Sequence, residues 1–231
     1  MEVMSQLPRY VSLLLATWIA VSPAAHALEY VLANIDGEAR KLTGKVVVDD
    51  TAGSMLLETD EGAMWPISGS DVLKRTSDSA KMTLLNKRQL GERLMAEMGP
   101  DFRLHESKHY VVVYNTTDKY AKWCSSLLER LQKSFIAFWK KRGSKVYAPK
   151  APLAVLIFNN KASYIAHARP ELGQAAGNAI GYYSFQTNRI VMYDLTGSQA
   201  VRRESTNRGS LKDISALLQS PEALHLSLIH I

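Results

Sequence analysis

Apolar residues in the second half of the chain form two short unbroken runs with a helical pattern between them. Leu153–Phe158 is apolar at every position, which is typical of a central strand buried on both faces, and Tyr110–Tyr114 is strand-like. Between them, apolar residues recur at every third or fourth position, which predicts a long helix capped by Thr117 or Asp118 and ending at Arg142. We expect its apolar stripe to consist of Tyr120, Cys124, Leu127, Leu131, Phe135 and Phe138.

Two further patterns complete this half of the chain. Asn160 is placed to cap a short helix over residues 161–168, which Pro170 is expected to end. Strand-like residues 180–185 and 189–194 flank a polar Gln-Thr-Asn turn, which predicts an antiparallel hairpin. The resulting order β-α-β-α-β-β predicts an α+β fold, in which a mixed α/β domain carries an antiparallel edge hairpin.

The region before this domain is rich in short strands and turns. Residues 55–59 and 63–67 flank the acidic turn at 60–62, which predicts a hairpin. Residues 28–78 are therefore expected to form a small β-barrel or sandwich module. Pro66 should lie on an edge strand or at a strand end, because proline cannot donate a hydrogen bond to a neighbouring strand.

A helical connector is predicted over residues 79–100, leading into the α/β domain at residues 101–225. Asn86 can cap this helix, and Gly99-Pro100 should end it. Its apolar positions, spaced four residues apart, are Leu90, Leu94 and Met98.

The first 27 residues have the three-part pattern of a secretory signal peptide. Arg9 and the amino terminus supply positive charge, residues 11–21 are mostly apolar, and Ala25-His26-Ala27 is a small-residue cleavage site. We therefore expect cleavage after Ala27 and export to the periplasm or the extracellular space. The apolar run is too short to span a bilayer comfortably, so no stable membrane insertion is expected after cleavage.

Composition excludes several classes of protein without selecting a function. The chain has 231 residues, of which 46% are hydrophobic and 22% are charged, and these are ordinary values for a folded protein. Its single cysteine, Cys124, rules out an intrachain disulfide framework or a multi-cysteine zinc site. Because Cys124 falls on the apolar stripe of the long helix, we expect it to be a buried structural thiol.

Residues 105–109 read His-Glu-Ser-Lys-His, a literal H-E-x-x-H sequence. On a helix, the two histidines could share one face and bind Zn²⁺, the glutamate could activate a water, and Glu129 has a spacing suited to a third ligand. The flanking Gly99-Pro100 and the valine run after His109 instead favour strands joined by a turn. An extended segment would hold the two histidines roughly 13 Å apart, too far for one zinc ion.

The long helix and its C-terminal end are rich in basic residues. We expect them to form a solvated helix face, and nucleic-acid binding is the disfavoured alternative because the aromatic residues lie mainly on the apolar side. The residues concerned are Lys119, Lys122, Arg130, Lys133, Lys140, Lys141, Arg142 and Lys145.

The hairpin at residues 181–194 has two interpretations. The simpler one is a structural hairpin. The functional one is an edge strand that pairs with an extended peptide, because an unpaired strand edge offers backbone donors and acceptors to another chain.

Several segments together resemble an uncharacterised bacterial secreted family of unknown function, whose members resemble gluzincin-type zinc metallopeptidases. The resemblance spans roughly residues 28–220 and is carried by His109-Tyr110, Tyr114-Asn115-Thr116, residues 168–173, Gly181-Tyr182-Tyr183 and residues 188–194. It implies the N-terminal part of a gluzincin-like fold, with the hairpin as the edge strand over the active-site cleft. It also implies a zinc-binding H-E-x-x-H helix shortly beyond Leu224.

No such motif follows Leu224 in this sequence, so no catalytic or metal residue is assigned from the resemblance. Residues 226–231 match the translation of a transposon-derived sequencing adapter, which predicts a C-terminally truncated member with a non-native tail; the alternative is a genuine short apolar terminus. A polar loop at 196–209 and a last helix near 211–218 are expected before that tail.

The function expected from the sequence is that of a fragment of an exported metallopeptidase-like protein. The fragment is expected to be inactive and to carry no cofactor, whereas zinc is expected in the full-length parent, which would act on an extended peptide. The alternative is a non-enzymatic binding or scaffold protein of the cell envelope.

Overall fold

The computed structural model describes residues 27–197, which form ten strands and three α-helices in two domains. The class is α+β, as predicted. The predicted signal peptide falls almost entirely on residues 1–26, outside the described residues. So do the helix predicted near 211–218 and the tail at 226–231.

The first domain is a five-stranded antiparallel sheet. Its strands are β1 (Ala27–Ile35), β2 (Glu38–Asp49), β3 (Met55–Thr59), β4 (Met64–Ile67) and β5 (Val72–Lys81), in the order β4-β3-β2-β1-β5. The paired strands leave β4 and β5 as two edges, so the ladder does not close on itself. The sheet extends three residues beyond the expected end of the module at residue 78.

The core of this domain lies on one face of the sheet, where alternate residues of each strand point inward. Val31 and Ala33 of β1, Leu57 of β3, and Trp65 and Ile67 of β4 are all buried there. Pro66 lies in β4, an edge strand, as predicted. The turn between β3 and β4 carries Asp60 and Glu61, which point toward the second domain.

Helix α1 (Lys87–Met98) connects the two domains and begins where the sequence predicted. The side chain of Asn86 accepts a hydrogen bond from the backbone N–H of Gln89, and the Gln89 side chain accepts one from the backbone N–H of Asn86. This reciprocal capping box satisfies donors that would otherwise be left unpaired at the helix start. Leu90 and Leu94 are fully buried against the second sheet.

The second domain is built on a mixed five-stranded sheet. Its strands are β6 (Arg103–Glu106), β7 (Tyr110–Tyr114), β8 (Leu153–Phe158), β9 (Gly181–Ser184) and β10 (Arg189–Tyr193), in the order β6-β7-β8-β10-β9. Strands β7, β8 and β10 run parallel, whereas β6 and β9 are antiparallel edge strands. The predicted edge hairpin is therefore present as β9–β10.

Helices cover both faces of this sheet, which gives the domain three layers. Helix α1 and helix α3 (Lys161–Leu172) pack on one face, against residues such as Val111, Leu156 and Val191. Helix α2 (Asp118–Lys141) packs on the other face, against residues such as Val112 and Ile157. Of the helices within residues 27–197, none is both long and apolar enough to cross a bilayer.

The prediction that Pro170 ends helix α3 is wrong. The helix continues to Leu172, and Gly173, at φ 57°, donates its backbone N–H to the carbonyl of Arg169. Pro170 lacks the N–H that would bond to the carbonyl of Ala166, but only two helical residues follow it before the cap. Glycine is suited to the left-handed conformation that ends the helix here.

Helix α2 also departs from expectation in its C-terminal half. Tyr120 and Cys124 are buried as predicted, but the rest of the predicted stripe is largely uncovered: Leu127 is 39% exposed, Leu131 61%, Phe135 54% and Phe138 46%. The helix has 24 residues, so at 1.5 Å per residue it is roughly 36 Å long, about twice the length of a five-residue strand. Its second half therefore extends beyond the sheet that covers its first half.

Candidate functional site

Residues 105–109 form the end of one strand and a turn, as predicted, and not a helical turn. His105 lies in β6 opposite Val112 of β7, whereas His109 directly precedes β7. Val112 comes three residues after His109, which corresponds to roughly 10 Å along a strand. His105 lies opposite Val112 and is therefore far from His109. The two imidazoles do not share a helix face.

Glu129 of α2 lies beside this turn, but it acts as a hydrogen-bond acceptor within the fold. Its carboxylate lies 2.6 Å from Nδ1 of His109 and accepts hydrogen bonds of 2.7 Å from the His109 backbone N–H and from the Ser107 hydroxyl. Burial alone would raise the pKa of Glu129, but these hydrogen bonds together hold it below its ordinary value. Glu129 therefore fastens α2 to the β6–β7 turn.

The family resemblance implies a zinc-binding helix beyond Leu224, outside the described residues, and residues 105–109 do not replace it. Within residues 27–197, no group of three or more His, Cys, Asp or Glu side chains is placed to hold a metal ion. Of the three candidates His105, His109 and Glu129, only the last two are in contact, and their contact is a direct hydrogen bond. We assign no catalytic step to these residues.

Cys124 is a buried thiol, as predicted. It is 4% exposed and packs in the core between α2 and the second sheet. Burial raises the pKa of this thiol to about 12, so it is protonated at neutral pH. A reactive cysteine has the opposite properties, namely a lowered pKa and access to solvent.

Within residues 27–197, the outer edge of β9 is a free strand edge. The strand is last in the sheet order, and no strand of the described region pairs with its outer side. Tyr183 on β9 is 45% exposed, and Phe185 just after it is 77% exposed, with their rings in edge-to-face contact at 5.0 Å. Backbone groups and two adjacent aromatic rings are thus available on the same edge.

Several contacts fix the hairpin in place. A Cβ atom at Gly181 would lie 2.8 Å from the carbonyl oxygen of Val191, so only glycine permits this close pairing of β9 with β10. At the hairpin tip, Asn188 has φ 56°, and its side chain accepts a 2.6 Å hydrogen bond from the Tyr183 hydroxyl. The same side chain donates to the carbonyl of Glu61 in the first domain.

A network of ion pairs joins the two domains at this hairpin. Arg189, at the start of β10, lies 3.1 Å from Glu61 in the β3–β4 turn and 2.8 Å from Glu97 of α1. Arg93 of α1 pairs with Asp60 at 2.7 Å and with Glu61 at 3.1 Å. Burial alone would lower the pKa of Arg189, but the carboxylates of Glu97 and Glu61 raise it above its ordinary value. Sequence reasoning missed this network, because its members lie as much as 128 residues apart.

A cleft of about 580 Å³ opens between the two domains next to this network. The first domain contributes residues of all five strands, including Lys81 at the end of β5, and the second contributes Arg93 and the hairpin residues Gln186, Thr187 and Arg189. Arg40 of β2 donates to the Gln186 side chain at 3.1 Å, which holds the hairpin tip against the first domain. The free edge of β9 thus leads toward this cleft.

In comparisons with protein-family models, curated proteins and solved structures, no match to this chain was found.

Proposed function

We propose that this chain binds an extended peptide along the outer edge of β9, as the substrate-binding part of an exported, metallopeptidase-like protein. The observation that carries the proposal is the free edge of β9, with Tyr183 and Phe185 exposed beside it. A peptide in extended conformation can pair with such an edge through its backbone, while its alternate side chains contact the aromatic rings. The proposed role is binding, and no hydrolytic step is assigned to residues 27–197.

Two features of the hairpin support peptide binding over a purely structural role. The edge is held rigid by the Gly181–Val191 approach and by the Tyr183–Asn188 hydrogen bond, so little conformational entropy is lost when a peptide pairs with it. The strand also has few of the features that protect an edge from pairing: it contains no proline and no charged residue. Edge strands without such protection are exposed to pairing with another chain.

The experiment compares three versions of one short, fluorescein-labelled peptide of alternating valine and threonine, with binding followed by fluorescence polarisation. One version is unmodified, one is N-methylated at every second residue, and one is N-methylated throughout. Successive N–H groups of an extended peptide point to opposite edges, so methylation at every second residue blocks only one edge. The second version can still pair through its other edge and should bind. The third has no free donors and should not bind. Equal binding of all three versions would show that the backbone is not used and would contradict the proposal.

A variant pair locates the binding surface on the protein. Tyr183→Ala removes an exposed ring from β9 and should weaken binding of the unmodified peptide roughly three- to tenfold, in line with the value of an aromatic contact. Tyr147→Ala is the matched control, because Tyr147 is more exposed but lies in the segment after α2. If both variants weaken binding equally, or if neither does, the site is not on β9.

The same measurements bear on the envelope-binding alternative. A non-enzymatic scaffold protein would keep its partner when the edge of β9 is altered, because its binding would depend on the first domain. Loss of peptide binding in the Tyr183 variant therefore favours the peptide-binding proposal.

A further inference from the structure

The β9–β10 hairpin connects the free strand edge to the interdomain cleft. Strand β9 runs from Gly181 to Ser184 and continues into the tip, where Gln186 and Thr187 line the cleft. A chain that pairs along β9 therefore reaches the cleft at the end marked by Ser184. A chemical group that binds in the cleft would therefore belong either to one end of the bound peptide or to one of its side chains.

The acidic residues of the cleft are already neutralised. Asp60 lies 2.7 Å from Arg93, and Glu61 lies 3.1 Å from both Arg93 and Arg189. Because each carboxylate contacts an arginine, neither is available as an unpaired negative charge for a cationic ligand. Binding a cation here would require breaking one of these ion pairs.

Two of the basic residues of the cleft remain without such a partner. The side chains of Lys41 on β2 and Lys81 at the end of β5 line the cleft, and neither forms an ion pair or hydrogen bond within residues 27–197. The lining contains four cations and two carboxylates, so it carries an excess of positive charge. Walls of low dielectric strengthen the field of such an excess inside a cleft.

The remaining lining suits a group that is only partly polar. Leu28, Trp65 and Met82 contribute apolar surface, while Thr43 and Thr59 contribute hydroxyl groups. A carboxylate carried on a short aliphatic chain matches this mixture, since its charge can face the lysines while its methylene groups contact the apolar side chains.

From these observations we propose that the interdomain cleft binds a carboxylate of the peptide that pairs with β9, and that Lys41 and Lys81 supply the attraction. This proposal rests on the proposed peptide-binding function. The carboxylate has two possible sources, the C-terminus of the peptide and an acidic side chain, and both present the same chemistry to the two lysines.

The test uses the full chain and four versions of the same labelled valine-threonine peptide: C-terminal acid, C-terminal amide, amide with one internal glutamate, and amide with one internal glutamine. Tighter binding of the acid than of the amide identifies the C-terminus as the source, and tighter binding of the glutamate than of the glutamine peptide identifies a side chain. The preference should shrink as salt is raised, because screening weakens interactions between exposed charges. Equal binding of all four peptides would overturn the carboxylate proposal and leave peptide binding on β9 intact, whereas no binding by any of them would contradict the proposed function itself.

Matched lysine variants assign the preference to the cleft. The double variant Lys41→Met and Lys81→Met should lower affinity for the preferred carboxylate peptide about fivefold, as expected for two partly exposed charge interactions, and leave affinity for its neutral counterpart unchanged. The control is Lys45→Met with Lys74→Met, which makes the same change on the same two strands at residues that do not line the cleft. If the control has the same effect as the cleft variant, the attraction comes from the net charge of the domain and the proposal is wrong.

Discussion

The guanidinium of Arg189 lies 3.1 Å from the carboxylate of Glu61, and this ion pair joins the two domains. Both side chains are largely buried, at 8% and 13% exposure. The contact places the tip of the β9–β10 hairpin against the β3–β4 turn, and the cleft lies beside it. The relative position of the two proposed binding features therefore depends on this pair.

We expect Arg189→Met to destabilise the protein by about 2 kcal/mol, because it removes the contacts of a buried guanidinium with Glu61 and Glu97, while Arg93 still pairs with Glu61. The measurement is the free energy of unfolding in urea. Arg88→Met is the control, since its pair with Glu92 is exposed on both sides and screened by solvent, so its loss should change stability little. Similar losses in the two variants would mean that the Arg189 contacts stabilise the protein no more than an exposed ion pair does.

The lowered pKa of Glu129 leads us to expect that the stability of the protein depends on pH. Its pKa is lower in the folded protein than its ordinary value, so the contribution of its carboxylate is fully present above the unfolded pKa and is lost as pH falls through the folded pKa. Glu129→Gln should therefore be less stable than the wild type at pH 7, and the difference should shrink in the acid range. Urea unfolding of both proteins at pH 7 and pH 3.5 measures this. Glu106→Gln, the same change at an exposed position on β6, is the control for removing a carboxylate that none of these hydrogen bonds involves.

The H-E-x-x-H sequence at residues 105–109 predicts an outcome for metal binding. Since the segment is a strand end and a turn, His105→Ala and His109→Ala should leave the zinc content of the purified protein unchanged. Elemental analysis after dialysis measures zinc per chain. Stoichiometric zinc in the wild type that disappears in either variant would contradict the extended geometry of this segment.

Because the C-terminal half of α2 is uncovered, truncating a leucine there should cost much less stability than truncating a buried leucine of α1. Leu94→Ala should cost about 3 kcal/mol, because Leu94 is completely buried and its truncation leaves a cavity. Leu131→Ala should change stability by less than about 0.5 kcal/mol, because Leu131 is 61% exposed. The free energy of unfolding of each variant checks this. A large loss in the Leu131 variant would show that another surface covers α2 in solution.

The predicted signal peptide has a direct test. If the chain is exported and cleaved after Ala27, the mature protein begins at Leu28, and its intact mass after secretion should match residues 28 onward. Leu28 lines the interdomain cleft, so cleavage would add the positive charge of a new amino terminus there. Recovery of the uncleaved mass from the secreted fraction would contradict the cleavage prediction.

Sequence patterns predicted elements whose determinants lie within a few residues of each other. The Asn86 cap, the unbroken apolar run of β8 and the hairpins at β3–β4 and β9–β10 all depend on local hydrogen bonds or on periodic burial. The turn at residues 107–109 was predicted in the same way. Where a local rule failed, at Pro170, the helix continues for two residues past the proline because the Gly173 N–H still closes the last turn on the Arg169 carbonyl.

Tertiary structure decided which of these elements meet and which surfaces stay open. Periodicity marked one continuous stripe on α2, but burial of that stripe depends on the length of the sheet beneath it, which no local pattern encodes. Glu129 matched a metal ligand by spacing, and only the approach of α2 to the β6–β7 turn showed that it accepts hydrogen bonds there. The Arg189–Glu61 contact and the cleft beside it join residues far apart in the chain, so they arise only when the two domains pack together.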